Sequence, residues 1–381
     1  MKKILMLTLI VALMVTMLFI GTSCKEEKAT TEEVTEEEVT EEEVAEETTA
    51  AGALIGVTMP TKSLQRWNQD GANIKAQLEA KGYTVDLQYA EDSVATQVSQ
   101  LENQITMGAK VLIIASIDGS ALGEVLKSAK EAGIATICYD RLIKETADID
   151  YNVTFDNFQV GVLQGEYIET ALGLKEGNGP FNMEIFAGSP DDNNATLFYN
   201  GELSVLQQYI DSGMLVIPSG QTDFLTVATP GWKAETAQAR MDNLITANYA
   251  DGTVLDVICC PNDSTAIGSI AALDNVGYGT ADKPYPIITG QDADIPNTIA
   301  MIDGKQSMSV FKDTRILAEQ AVAMVDAILK GGEVPVNNTT DYDNGVKIVP
   351  SFLCTPIVVT KDNYEEALID SGYYTVDQIT K

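Results

Sequence analysis

The chain of 381 residues contains no histidine. That removes the commonest general base and the commonest metal ligand together. Its five cysteines, Cys24, Cys138, Cys259, Cys260 and Cys354, show no C-x-x-C spacing. A zinc site is therefore not expected, and four of the five sit in or beside apolar runs, as small buried hydrophobes do. Basic residues are scarce, 24 Lys and Arg against 56 Asp and Glu, for a formal net charge of −32. No basic face for nucleic acid survives in such a field. A phosphate-cradling G-x-x-x-x-G-K-[ST] is also missing, so the chain has no Walker-type nucleotide site. Tryptophan occurs twice, at Trp67 and Trp232.

What is present describes a water-soluble body with a tethered start. A hydrophobic content of 45% with 21% charged residues is that of a globular protein, long enough for two domains. The opening "MKKILMLTLIVALMVTMLFIGTSC" has two lysines, an apolar stretch and small residues before Cys24. Residues 1–24 therefore read as a secretory signal ending at a cysteine in a lipobox-like setting, with Cys24 the expected lipidation site. Gly21 stands three places before Cys24, where the usual box has Leu. An uncleaved membrane anchor is the alternative. Residues 25–52 hold twelve Glu and two Lys, a self-repelling run that forms an extended acidic tether.

From Ala53 onward strand and helix patterns alternate. "ALIGVTM", "TVDLQYA", "AKVLIIAS" and "IATICYD" read as strands; "WNQDGANIKAQLEAKG", "SVATQVSQLENQITMG" and "ALGEVLKSAKEAG" between them read as amphipathic helices. A second series runs from "FNMEIFAG" to "YPIITGQD". Such alternation implies βαβ crossovers and parallel sheets covered on both faces. The expected fold class is α/β, two Rossmann-like doubly wound halves. "IIASIDGSALGEVLKSAKEAG" and "VICCPNDSTAIGSIAALDNVG" share a strand, an acid, a helix and a closing glycine, a hint of duplication.

Four apolar runs end in an acid: Asp118, Asp140, Asp263 and Asp292. In open parallel sheets ligands sit beyond the carboxyl ends of the strands, so two facing halves would put these acids on the walls of one cleft. Carboxylates with Arg, Lys and Asn grip the hydroxyls of a polyhydroxylated ring, and indole packs on its C–H face. Other readings stay open: an Asp after a strand is often a helix cap or turn former, and Asp140 beside Arg141 could be a structural ion pair. Asp191 and Asp192 are adjacent acids, a weak basis for glycoside hydrolysis because neighbours in a loop rarely point together.

The segments "MPTKSLQRWNQDG", "ICYDRLI", "VTFDNFQVGVLQ", "FAGSPDDNNA", "TAQARMDNL", "ITGQDAD", "SVFKDT" and "YDNGVKIVPSFLCTP" resemble the periplasmic sugar-binding proteins of ABC transporters. The branch they resemble most is that of xylose-binding and multiple-monosaccharide (ChvE-like) receptors. The likeness runs in order over residues 53 to 376. It implies two lobes joined by a three-segment hinge, with crossings near Phe155–Asn157, near Gly290–Asp294 and between Asp341 and Val349. The lobes would be 53–155 plus 293–340, and 156–292 plus 345–381. The implied ligand set is Arg66, Trp67, Asp118, Asp140, Arg141, Asn194, Trp232, Asn262, Asp263, Asp292 and Lys312. Phe198 stands near a position where relatives can carry a sugar-binding arginine. The resemblance further implies a monomeric binding protein and no enzyme, without cofactor or metal. Its partners would be a monosaccharide (xylose, glucose, galactose or arabinose) and an ABC permease with its ATPase, or a membrane sensor instead. The location would be extracytoplasmic, held to the membrane by the lipid alone.

Overall fold

In the computed structural model, residues 52–380 are described; the signal, the acidic tether and Cys24 lie outside them. The strand-like runs of the first series form one six-stranded sheet. Its strands are β1 (Leu54–Met59), β2 (Thr84–Tyr89), β3 (Val111–Ile114), β4 (Ala135–Tyr139) and β5 (Tyr151–Phe155). A late strand, β11 (Ser351–Cys354), adds to its edge, and the order is β11-β5-β4-β3-β1-β2. All five pairings are parallel. In β3 all four residues are buried, as continuous apolar runs require when both faces are covered. Helices α1 (Gln65–Ala80) and α9 (Thr314–Lys330) bury Ile74, Leu78, Leu317 and Val325 on one face. Helices α2 (Val94–Thr106) and α3 (Gly123–Glu131) bury Leu101, Val125 and Leu126 on the other.

The second half repeats the winding. Strands β6 (Phe181–Ile185), β7 (Leu215–Val216), β8 (Val257–Cys259) and β9 (Ile287–Ile288) run parallel in the order β7-β6-β8-β9. A bridge from Gln291 to Val310 continues this sheet into β10 (Met308–Phe311), which pairs antiparallel with β12 (Ile357–Thr360). Helices α4 (Asn157–Leu172) and α5 (Asn193–Asp211) bury Ile168 and Leu206 on one face. On the other, α6 (Ala234–Asn248), α7 (Asp263–Asn275) and α8 (Ile295–Ile302) bury Met241, Ile270 and Ala300. Read as 2-1-3-4-5, the order in each sheet puts a switch point between its first and third strands.

Helices α4 and α5 touch backbone to backbone. A Cβ on Gly201 would lie 2.1 Å from the carbonyl oxygen of Phe158, and one on Gly161 would lie 2.0 Å from that of Phe198. Only glycine allows this approach. It draws the N-terminus of α5 close to that of α4, where Asn157 bonds Asn194.

The chain passes between the sheets three times, but not where the sequence placed two of the crossings. The first falls at Phe155–Asn157, between β5 and α4. The second was expected near Gly290–Asp294. There the chain stays with the second sheet, because Gln291 bridges Val310 and α8 packs in that lobe; it crosses only between Phe311 and Thr314. The third was expected between Asp341 and Val349. Tyr342 and Val349 are instead buried in the first lobe, and Asn344 donates to the carbonyls of Ile143 and Thr146. The crossing follows β11, at residues 354–357. Residues 293–311 and 345–354 thus belong to the opposite lobe from the one expected. The reason is strand pairing across sequence separations that no local pattern encodes: Ser351 pairs with Asn152. Cys138, Cys259, Cys260 and Cys354 are buried and unbridged.

Candidate functional site

The carboxyl ends of both sheets face one cleft. From the first lobe come Leu64, Arg66 and Trp67 at the start of α1, and Asp140 and Arg141 beyond β4. From the second come Asp192, Asn194 and Phe198 on α5 and Trp232 before α6. Asn262, Ser264, Gln291, Asp292 and Asp294 complete that wall, and Lys312 sits at the hinge. Several of these residues serve the fold as well. Asn262 caps α7 by accepting from Thr265 N, and Asp192 caps α5 by accepting from Asn194 N.

Arg66 is the hub. Its Nε lies 3.0 Å from Asp70, Nη2 2.5 Å from Asp140 and Nη1 3.3 Å from Asp292. Lys312 Nζ reaches Asp292 at 3.1 Å and Asp140 at 4.0 Å. Arg141 Nε pairs with Asp192 at 3.0 Å. Two of these pairs, Arg66–Asp292 and Arg141–Asp192, join one lobe to the other. Asn194 adds a third link by donating to the backbone carbonyl of Asp140 at 2.9 Å.

Charge placement sets the protonation states. Burial alone would raise the Asp140 carboxyl, but Arg66, Lys312 and Arg141 overcome it and hold it below the usual carboxylate range. Burial opposes the charge on Arg66, and Asp140, Asp70 and Asp292 more than offset that. Asp70, sealed beneath Arg66 and bonded by Tyr139 OH at 2.5 Å, is pushed up to about 6 by burial. Burial also raises Asp192, against Arg141.

The aromatic walls are equally fixed. Trp67 carries Arg66 and Arg141 at 5.0 and 5.1 Å from its ring centroid. Trp232 meets Phe198 edge-on at 6.2 Å. The Trp232 ring lies so close to Gly188 that a Cβ there would be 1.9 Å from it. Three buried polar atoms in the lining have no protein partner: Trp232 Nε1, Gln291 Oε1 and Asp294 Oδ1. Buried polar groups are otherwise nearly always paired, so these atoms suit a ligand with both donors and acceptors.

Of the eleven ligand residues expected from the sequence, nine line the cleft. Asp118 does not: half-buried, its carboxylate accepts from Ser120 N at 2.8 Å and closes a turn. Nor does Asp263, fully buried one layer behind, where it accepts from Gln306, Ser309 and Asp294 N. Gln291, Ser264 and Asp294 were not singled out. The sequence signal for Gln291 and Asp294 was their place beside Asp292 in "GQDAD". Asp192 had been weighed only as half of an acid pair with Asp191. Asp191 is exposed and Asp192 buried, so the two do not face one reacting atom.

Comparison with known proteins gives a consistent result. The family profile of the periplasmic binding protein domain matches residues 55–333. The chain is 53% identical over 325 residues to the multiple sugar-binding periplasmic receptor ChvE of Rhizobium radiobacter, covering 85% of this chain and 92% of that one. It is 37% identical to the D-xylose-binding periplasmic protein of Escherichia coli, with the same coverage. Among solved structures it resembles an ABC transporter solute-binding protein from Clostridium phytofermentans with bound β-D-glucose. That match has a TM-score of 0.83 and 58% identity, covering 86% of this chain and 100% of the other.

Proposed function

Because this chain belongs to the periplasmic binding protein family, we propose that it captures a monosaccharide by closing two lobes and delivers it to an ABC sugar importer. The observation that carries this reading is the cleft itself. Two indoles and three cations interleaved with carboxylates line it from both lobes, with unpartnered polar atoms among them.

Open and closed forms differ in whether sugar touches one wall or two. Ligand therefore shifts the population toward the closed form in proportion to its contacts in that form. Asp140 and Asp292 accept from sugar hydroxyls while Arg66, Lys312 and Asn194 donate, and the C–H face of a pyranose lies against Trp67 or Trp232. Nothing in this scheme breaks a bond, so the chain acts as a receptor. Xylose and glucose are the favoured ligands, since a relative and a solved neighbour carry those sugars in their descriptions. The receptor works outside the cytoplasm as a monomer, is lipidated on Cys24, and docks in its closed form on a permease whose ATPase is a separate chain.

Isothermal titration of the purified protein with D-glucose, D-xylose, D-galactose and L-arabinose tests this. Saturable one-to-one binding of at least one sugar is expected; no binding of any of them overturns the reading.

A further inference from the structure

Four carboxylates line the cleft: Asp140, Asp192, Asp292 and Asp294. The first three each hold an ion pair with Arg66, Lys312 or Arg141. Among the described residues of this lining, Asp294 is the acid without one. Its Oδ1 is buried and has no protein partner. It stands where the cleft meets a wider groove at its mouth, together with Leu64, Trp232 and Ser264.

We propose that Asp294 is a sugar-contacting residue that carries a proton into the closed cleft, so that the receptor takes up about one proton with each monosaccharide. The proposal rests on reading the cleft as a sugar site. The proton comes from solvent and settles on the carboxylate, and no bond of the sugar is made or broken. So protonated, Asp294 donates to a hydroxyl or to the ring oxygen, an atom that can only accept.

The surroundings decide where the proton sits. Asp292, two residues back, is ion-paired with Arg66 and Lys312. Asp263, at the start of α7, is pushed up by burial and by Asp294, but three donors fix its oxygens as acceptors: Gln306 Nε2, Ser309 Oγ and Asp294 N. That leaves the unpartnered Oδ1 of Asp294. Burial pushes its carboxyl up to about 7, Asp292 adds to the rise, and Arg66 and Lys312 oppose it. Tyr374 faces it from the carboxyl-terminal segment, its hydroxyl donating to the carbonyl of Ala293. The mouth groove adds Asp92, Lys233 and Glu235.

Closure is what changes this group. Asp70 and Asp263 are each buried by neighbours of their own lobe, so opening leaves them as they are. Asp294 shares the cleft with Leu64 and Arg66, which belong to the other lobe, and it feels the Arg66 charge across the gap. When the lobes part, it meets water and returns toward its ordinary value of 3.8. Closing then binds a proton at any pH between the two values. Sugar affinity falls as pH rises through that window, by up to about tenfold per pH unit, and levels off above the closed-form value.

The test is calorimetric titration of the full-length protein with D-glucose between about pH 5.5 and 8.5, in two buffers of different ionisation enthalpy. Wild type is expected to take up close to one proton per sugar near about pH 6 and progressively less above neutrality. Asp294→Asn, whose amide donates as the protonated acid does but cannot titrate, is expected to lose the uptake and the pH slope. Asp294→Ala is expected to bind weakly at every pH. No proton uptake by wild type, or an unchanged pH slope in Asp294→Asn, overturns the proposal. If D-glucose and the other monosaccharides bind at no pH, the sugar reading itself has failed.

Discussion

Asp140 and Asp292 share one guanidinium: Arg66 reaches the first at 2.5 Å with Nη2 and the second at 3.3 Å with Nη1. Both acids hold left-handed backbone, with φ of 63° and 98°. Asp118 and Asp263, which end strands in the same way, are not among the residues with positive φ, and neither lines the cleft. At these two positions the inward carboxylate goes with a reversed backbone, whereas Asp192 and Asp294 reach the cleft without one. For a residue other than glycine that reversal costs on the order of 1 kcal/mol or more, offset here by the ion pairs it creates.

Arg66 therefore locks two lobes while satisfying three carboxylates. Arg66→Lys keeps a charge but loses the planar fork that spans Asp140 and Asp292. Its sugar affinity should drop by at least about tenfold, or roughly 1.4 kcal/mol, in calorimetric titration. Arg66→Ala strands buried carboxylates and should lower unfolding stability by roughly 3–5 kcal/mol at neutral pH, as read in a urea transition.

The two tryptophans are expected to act on affinity with little effect on folding rate. Trp67→Ala removes the ring that carries two guanidinium groups. A loss of about tenfold or more in monosaccharide affinity is expected, with part of it recovered in Trp67→Phe. Fluorescence titration of the variant through the remaining Trp232 provides the measurement.

Asp118 and Asp192 should behave oppositely despite similar sequence settings. Asp118→Asn changes a turn outside the cleft and should leave the dissociation constant within about twofold. Asp192→Asn removes the partner of Arg141 across the lobes. It should weaken sugar binding by at least about fivefold, on the order of 1 kcal/mol.

Glu202, on α5, is 3% exposed and has no ion pair among the described residues. Burial pushes its carboxyl up to about 7 from an ordinary 4.5. The unfolded chain releases this proton at lower pH than the folded one. Stability is thus lost as pH climbs from the ordinary value to the folded one, and the loss stays constant above it. Glu202→Gln should match wild type near about pH 4 and exceed it by up to roughly 3 kcal/mol at about pH 8. Urea midpoints at the two pH values decide this.

Much of the site was legible because strand ends are legible. An apolar run that stops in "YDR" or "GQD" marks the carboxyl end of a parallel strand, and in an open sheet that end faces the crevice. Trp67 and Trp232 stand in loops or helix starts next to those ends, whereas Arg66 entered through the family resemblance. Asp294 escaped because it sits beside a stronger candidate, and only its lack of a partner in three dimensions sets it apart. The second and third hinge crossings escaped for a different reason. Residues 351–354 carry the same apolar pattern whichever sheet they join, and the choice is made by pairing with a strand some 200 positions earlier.

Taken alone, the order of residues determined the alternation of strand and helix, the double winding and the list of polar side chains available at one end of each sheet. Periodicity and chain-terminating residues act over a few positions, and sequence records them directly. Which acids turn inward, which strand completes which sheet and which carboxyl holds a proton were decided by the tertiary structure. Each depends on backbone geometry, long-range pairing or the balance of burial against neighbouring charge, and these arise only when distant segments meet.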